Sequence, residues 1–158
     1  PNRSEANLIV QDGYMLAVPV AGASETIEQL GHCQFHVEWS HEYALPGLGQ
    51  SRGNSGVFFP GKVEVQVLDN YDNPTYADGT AGAVYGVMPP AVNALHPPGK
   101  WQKYDIIYRR PIVINGEVIE TGTLTVLMNG VVVQDATPLE GGGGWRKRQP
   151  YNLSLIHI

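Results

Sequence analysis

The chain has 158 residues, enough for one domain with a single core but hardly for two. Nineteen glycines and twelve prolines, with apolar residues at 42%, favour many short strands joined by tight turns over a helical bundle. The net charge of −5 argues against nucleic acid as a partner, because no basic surface is large enough to neutralise several phosphates.

Two further classes of structure are excluded at this level. Cys33 is the single cysteine, so an internal disulfide is impossible. No run of about 18 apolar residues occurs, so we expect no membrane-spanning helix. The oligomeric state is left open.

Short aliphatic and aromatic runs bounded by Gly, Pro or Asn predict strands along the whole chain. These runs are residues 7–10, 14–18, 34–40, 56–59, 62–68, 104–109, 112–114, 124–128 and 131–135. Tight turns are indicated at Asp12-Gly13 and at Asn129-Gly130, because these residues tolerate positive φ. Helical spacing is confined to residues 24–30, where 26–28 fit a strand equally well. The pattern predicts an all-β sandwich of two antiparallel sheets.

Two of these strands alternate strictly between apolar and polar residues, so each has one buried face. The apolar faces are formed by Phe35, Val37 and Trp39 and by Val63, Val65 and Val67. The polar faces carry His36 and Glu38 in the first strand and Glu64 and Gln66 in the second. We expect the two strands to lie in one antiparallel sheet, whose polar side forms a groove containing these four side chains.

The connection over residues 69–101 is too long for a plain turn, and such connections are usually functional. It holds several aromatic rings, among them Tyr85 and Trp101, which could stack on the faces of sugars. The alternative is that these rings only pack the loop against the domain.

A glycine-rich turn at residues 47–56 precedes the second alternating strand. Within it, Arg52 is expected to pair with Glu64 or to bind a substrate oxygen. Asn54 either contacts substrate or only holds the turn. Asp69, at the end of the strand, either joins the site or caps the turn that follows.

Six segments in order resemble the 3-keto-disaccharide hydrolase domain family. They are FHVEW at 35–39, GNSGVF at 53–58, EVQVLD at 64–69, GAVYG at 82–86, PGKW at 98–101 with Tyr104 and Asp105, and LMNG at 127–130. The similarity extends over residues 8–135. The six segments together are fairly specific, although none of them is specific alone.

The resemblance implies a concanavalin A-like jelly-roll fold and a bacterial protein located in the periplasm or outside the cell. It also implies a carbohydrate substrate whose sugar is oxidised at C3. A base removes the acidified C2 hydrogen, the C1 substituent leaves, and water adds to the resulting glycal, which completes a net hydrolysis. The rival interpretation is a lectin-like carbohydrate-binding module without catalysis, since fold does not fix function.

With this resemblance, Glu64 becomes the strongest candidate for a catalytic carboxylate. His36 and Glu38 are candidates for a base, an oriented acid or metal ligands. A divalent cation held there could polarise the 3-keto oxygen, and no other cofactor is indicated. The substrate-binding candidates are Gln66, Arg52, Asn54, Asp69, Tyr85 and Trp101.

Both ends of the chain are expected to be incomplete. The first residue is Pro1 rather than Met, and the family's domains continue past the last hairpin into a final strand with a Leu-Gln-Asp-His-like run. The last six residues, LSLIHI at 153–158, correspond to the codons CTG TCT CTT ATA CAC ATC, which resemble a transposon-based sequencing adapter. We therefore expect residues 1–152 to be one incomplete domain, inactive if the missing histidine is required. Residues 153–158 are expected to be a poorly packed non-native tail.

Overall fold

The structure is a computed structural model that describes residues 8–17, 23–60 and 63–139. These residues form ten strands: β1 (Leu8–Gln11), β2 (Tyr14–Ala17), β3 (Cys33–Trp39), β4 (Ser55–Phe59), β5 (Val63–Val67), β6 (Gln102–Arg109), β7 (Ile112–Ile114), β8 (Glu117–Glu120), β9 (Gly122–Met128) and β10 (Val131–Leu139). Two short 3₁₀ turns lie at Gly49–Ser51 and Ala77–Gly79. Within the described ranges, no helix is long and apolar enough to cross a membrane.

The larger layer is a four-stranded antiparallel sheet in the order β10-β9-β6-β3. Every second residue of β6 and β9 is buried, which is the period that a strand imposes when one face meets the core. The buried hydrophobic residues are Tyr104, Ile106 and Tyr108 of β6 and Leu124, Val126 and Met128 of β9. This face of the sheet is one wall of the hydrophobic core.

The second layer is the β4–β5 pair, which packs its valines against that wall. Val63 and Val65 are fully buried, and burying each such side chain stabilises the fold by roughly 1.5–3 kcal/mol. The ring of Phe59 contacts that of Tyr108, with centroids 4.9 Å apart. The hydroxyl of Tyr104 donates a hydrogen bond to the backbone oxygen of Gln66 at 2.7 Å, which joins the two layers. The predicted all-β sandwich of antiparallel sheets is confirmed.

Two predicted hairpins are confirmed. Asn129 and Gly130, with φ of 53° and 82°, connect β9 to β10. Asp12 and Gly13, with φ of 52° and 83°, connect β1 to β2. In both turns two consecutive residues occupy positive φ, as a tight turn matching the twist of its strands requires.

Two local features differ from the sequence-based predictions. Residues 24–30 contain no helix; they are irregular apart from a bridge at Glu25, since seven residues without a packed apolar face do not sustain helical turns. A third hairpin joins β7 to β8 through Asn115 and Gly116, and β8 was not predicted. Its sequence EVIE has only two strand-favouring residues, Val118 and Ile119, between two glutamates, which is a shorter run than those that predicted the other strands.

The prediction that β3 and β5 lie in one sheet is wrong. β3 pairs with β6, whereas β5 pairs with β4. Both strands turn their apolar residues toward one core, but they do so from opposite layers, so their polar faces point away from each other. The expected shared groove therefore does not exist. Lys62, which belonged to that prediction, and the expected tail at residues 153–158 lie outside the described residues.

Candidate active site

Glu64 lies in the middle of β5, on the face that points away from the core. On one edge β5 pairs with β4, which places Phe58 opposite Glu64 and Gly56 opposite Gln66. On the other edge the Tyr85 amide donates to the Glu64 backbone oxygen at 2.9 Å, beside a bridge between Val65 and Val84. Directly opposed residues share a face. We call the surface formed by Gly56, Phe58, Glu64, Gln66 and Tyr85 the Glu64 face.

The carboxylate of Glu64 leans over Gly56. A β-carbon at Gly56 would lie 2.3 Å from Oε1 of Glu64, so the glycine provides the space in which the acid lies. This carboxylate is half-buried and makes no hydrogen bond or ion pair with any described residue. Burial raises its pKa from the ordinary 4.5 to about 7, because removal of water disfavours the charged form. At neutral pH such a group can both accept and return a proton.

Gln66 forms the buried end of the same face. Its Nε2 donates to Oε1 of Gln50 at 2.9 Å and to the backbone oxygen of Gly79 at 3.3 Å. Gln50 in turn donates to Oγ1 of Thr75 at 2.9 Å and to the Gly79 oxygen at 2.8 Å. Oε1 of Gln66 is buried and has no hydrogen-bond partner in the part of the chain that the structure describes. This network joins the turn at Gly49–Ser51 to residues 75–79 beside the site.

The hydroxyls of Tyr76 and Tyr85 are 2.5 Å apart, and Tyr85 lies next to Glu64. Burial raises the pKa of Tyr85, and the hydrogen bond with Tyr76 and the nearby charges of Glu64 and Asp78 raise it further. The phenol therefore stays neutral and keeps its proton to donate at physiological pH. The structure thus places two of the predicted substrate-binding residues, Gln66 and Tyr85, beside Glu64.

Arg52 pairs with Asp69, not with Glu64 as one alternative predicted. Nε of Arg52 is 2.9 Å from Oδ2 of Asp69, and the Asp69 side chain is only 3% exposed. The Tyr71 amide also donates to Asp69 at 3.3 Å, so the acid caps the turn after the strand. Asp69 binds Arg52 because both lie at the same end of the sheet, where the Asp69 amide donates to the Arg52 backbone oxygen.

Asn54 holds the glycine-rich turn. Its Nδ2 donates to the backbone oxygen of Gln50 at 2.9 Å and lies 3.3 Å from Oε1 of the same residue. Asn54 is therefore linked to Gln66 through Gln50, without lying on the Glu64 face itself. Its predicted contact with substrate stays a prediction.

His36 and Glu38 lie on the outer face of the four-stranded sheet, across the core from Glu64. Nδ1 of His36 is 2.6 Å from Asp105, and Glu38 is 3.0 Å from Nζ of Lys103. The hydrogen bond with Asp105 raises the pKa of His36, and Lys103 lowers that of Glu38. All four side chains are more than 40% exposed. Their predicted grouping with Glu64 is wrong. The alternation of a strand predicts which residues share a face, but it does not predict in which layer of the sandwich the strand lies.

The expected divalent cation has no evident ligand set in the described ranges, where no three or more His, Cys, Asp and Glu residues are grouped to hold a metal ion. Trp101 is half-exposed and packs edge-to-face on Tyr14, with ring centroids 5.9 Å apart. No contact of Trp101 with the Glu64 face is seen among the described residues. Its binding role therefore stays a prediction.

Gly56 and Gln50 belong to the site but were not predicted from the sequence. Gly56 could have been found, because a glycine inside a strand of bulky residues marks a close approach. Gln50 could not, since its partners Gln66, Thr75 and Gly79 are 16 to 29 residues away in sequence. Only the folded chain brings these segments together.

The chain is similar to known proteins over nearly its whole length. The family model for the 3-keto-alpha-glucoside-1,2-lyase-like domain matches residues 2–155. A predicted glycosyl hydrolase from Parabacteroides distasonis ATCC 8503, solved at 2.13 Å, has a TM-score of 0.90 and 38% identity over 96% of this chain. This chain spans 66% of that protein, just under two thirds of its length.

A second predicted glycosyl hydrolase from the same organism, solved at 1.70 Å, has a TM-score of 0.65 and 15% identity. The match covers 95% of this chain and 75% of the other, and at this identity it shows a shared fold alone. No curated protein matches the chain.

Proposed function

This chain belongs to the 3-keto-alpha-glucoside-1,2-lyase-like domain family, and from that membership we propose that it acts on 3-keto-glycosides by elimination and hydration. The family membership supports a carbohydrate-processing function. The finer proposal depends on one observation: Glu64 is a half-buried carboxyl group with a pKa of about 7 and no partner among the described residues. A location in the periplasm or outside the cell is part of the same proposal.

The reaction needs a group that takes a proton from carbon. A ketone at C3 acidifies the C2 hydrogen, and a carboxylate can remove it when its pKa lies near the working pH. The carbon–hydrogen electrons then form the C2–C3 double bond of an enolate. As the carbonyl re-forms, a C1–C2 double bond appears and the C1–O bond breaks. The departing oxygen takes a proton, and water adds at C1 to give the free 3-keto sugar.

Glu64 suits this work better than the other carboxylates considered for the site. Asp69 is already paired with Arg52, and Glu38 is exposed and paired with Lys103 on the opposite side of the sandwich. Glu64 has neither a counter-charge nor a hydrogen bond within the described chain to hold it ionised. Once Glu64 has taken the proton from C2, it is a carboxylic acid and can donate that proton to the leaving oxygen.

The test compares the full-length protein with its Glu64→Gln variant on a 3-keto-glycoside and on the unoxidised parent sugar. Glu117→Gln, an exposed carboxylate of β8, is the matched control. We expect Glu64→Gln to lower kcat about 100-fold or more, because an amide cannot take the proton, while the control stays at the original rate.

Turnover of the Gln variant within about twofold of the original would contradict the proposal. Binding of the parent sugar with no turnover of either compound would also contradict it. That second result would support the rival function, a lectin-like module that binds carbohydrate without catalysis.

A further inference from the structure

The two tyrosine hydroxyls beside Glu64 form a second chemical group on the same face. They lie 2.5 Å apart, a short distance for a hydrogen bond between two neutral hydroxyls. Whichever hydroxyl donates in this bond, the accepting hydroxyl keeps its own hydrogen. The O–H group of the accepting tyrosine can therefore donate to a ligand, and the hydrogen bond between the two tyrosines polarises that O–H group.

The backbone around the two tyrosines holds them in place. Tyr76 immediately precedes the 3₁₀ turn Ala77–Gly79, and its ring lies over Gly79, where a β-carbon would come within 2.1 Å of Cε2 of the ring. The amide of Gly86, the residue after Tyr85, donates to the backbone oxygen of Asp78 at 3.0 Å. One hydrogen bond thus connects the turn that follows Tyr76 to the segment that carries Tyr85, so little reorganisation is needed for the pair to act.

Tyr85 is also the tyrosine adjacent to the proposed base. Its amide donates to the Glu64 backbone oxygen at 2.9 Å, so the two side chains leave neighbouring segments on the same face. Among the described residues, Tyr76 is the hydrogen-bond partner of the Tyr85 hydroxyl. Besides burial and the hydrogen bond with Tyr76, the charge of Glu64 raises the pKa of Tyr85, so the carboxylate and the phenol influence each other across this face.

We propose that the Tyr76–Tyr85 hydroxyl pair is the oxyanion donor of this site, with Tyr85 donating to the 3-keto oxygen while Glu64 removes the C2 proton. The inference rests on the proposed function, because it assigns a partner to the same reaction. Negative charge develops on the 3-keto oxygen as the enolate forms. The Tyr85 hydroxyl stabilises that charge, and Tyr76, by donating to Tyr85, strengthens the donor.

The electrostatic surroundings fit a donor and not a nucleophile. Burial, the Tyr76 hydrogen bond and the charges of Glu64 and Asp78 all raise the pKa of Tyr85, so its proton is retained. A neutral phenol in partly dehydrated surroundings is well suited to donate a strong hydrogen bond to an anionic oxygen. The rings could instead serve only as apolar contacts for a sugar, and replacement by phenylalanine separates the two roles because it keeps the ring.

The experiment measures turnover and binding in the full-length protein and in Tyr85→Phe, Tyr76→Phe and Tyr43→Phe. Tyr43 is 83% exposed and serves as the matched control. The binding probe is a 3-deoxy-3-nitro-glycoside in its nitronate form, which carries negative charge on oxygens bound to C3 through nitrogen, and the neutral parent glycoside is the comparison. Glu64→Gln is assayed alongside.

We expect Tyr85→Phe to lower kcat about 100-fold and to weaken nitronate binding about tenfold, with affinity for the neutral parent unchanged. Tyr76→Phe should produce a smaller loss in the same direction, and Tyr43→Phe none. If Tyr85→Phe keeps full activity and full nitronate affinity while Glu64→Gln is inactive, this inference is wrong. The proposed function would still hold in that case. A fully active Glu64→Gln variant would instead contradict the proposed function.

Discussion

A β-carbon at Gly56 would lie 2.3 Å from Oε1 and 2.9 Å from Cδ of Glu64, so these two residues share one space on adjacent strands. The contact is diagonal, since Gly56 faces Gln66 and Glu64 faces Phe58 in the β4–β5 register. Diagonal neighbours in an antiparallel pair lie within reach of long side chains. The position of the proposed base therefore depends on the absence of a side chain at residue 56.

The first prediction is that Gly56→Ala displaces the Glu64 carboxylate and lowers kcat/KM about tenfold or more. The melting temperature should change little, because the three atoms nearest the added methyl group all belong to the flexible side chain of Glu64. Gly31→Ala is the control, since within the described ranges its β-carbon would meet Cδ of Arg110 alone, at an ordinary 3.6 Å. Equal kcat/KM in the two variants would show that Gly56 does not position Glu64.

The second prediction concerns stability and pH. The folded pKa of Glu64, about 7, lies above its ordinary 4.5, so the folded state binds the proton more tightly than the unfolded state does. The contribution of Glu64 to the free energy of unfolding is therefore fully present below about pH 4.5 and is lost as the pH rises to about 7. Glu64→Gln removes the buried charge, so the variant should melt a few degrees above the original protein at alkaline pH.

Thermal unfolding measured across this pH range checks that difference, which should vanish in acid. Glu117→Gln serves again as the control, because Glu117 is an exposed carboxylate. A melting temperature for Glu64→Gln that stays below the original at every pH would mean that the carboxylate stabilises the fold, against the observed burial.

The third prediction concerns the Arg52–Asp69 ion pair. Arg52→Met should lower the free energy of unfolding by about 3–5 kcal/mol, because it leaves the buried Asp69 carboxylate without its counter-charge. The double variant Arg52→Met, Asp69→Asn should recover part of that loss, since no buried charge remains. Lys103→Met, which breaks an exposed pair with Glu38, is the control.

Urea unfolding of the four proteins measures these free energies. If Arg52→Met is as stable as the original protein but no longer binds the sugar, the interpretation of Arg52 as a stabilising partner of Asp69 is wrong. Arg52 would then be a substrate-binding residue, as the other alternative predicted.

The fourth prediction is that the double variant His36→Gln, Glu38→Gln retains the turnover of the original protein. Both side chains are exposed on the outer face of the four-stranded sheet, where Asp105 and Lys103 are their partners. Steady-state kinetics on a 3-keto-glycoside tests this directly. A loss of kcat comparable to that of Glu64→Gln would mean that this second face takes part in the reaction.

The period of two in β3 and β5 correctly predicted which side chains of each strand face the core. Phe35 and Val37 in one strand and Val63 and Val65 in the other pack against one hydrophobic cluster. The same period could not predict strand partners, because pairing depends on hydrogen bonds between segments distant in sequence. β3 pairs with β6, about 70 residues away, and this pairing carries His36 and Glu38 to the far side of the molecule.

The sequence by itself determined the all-β class, the positive-φ turns at Asp12 and Asn129, and the outward position of Glu64 on its strand, because these depend on local backbone sterics and on alternation. The tertiary structure alone decided that Glu64 lies over Gly56 beside Tyr85, and that Arg52 neutralises Asp69 instead. Those contacts join segments 8 to 21 residues apart, and their burial sets the pKa of Glu64. Desolvation is a property of the packed surroundings, which no local pattern of residues encodes.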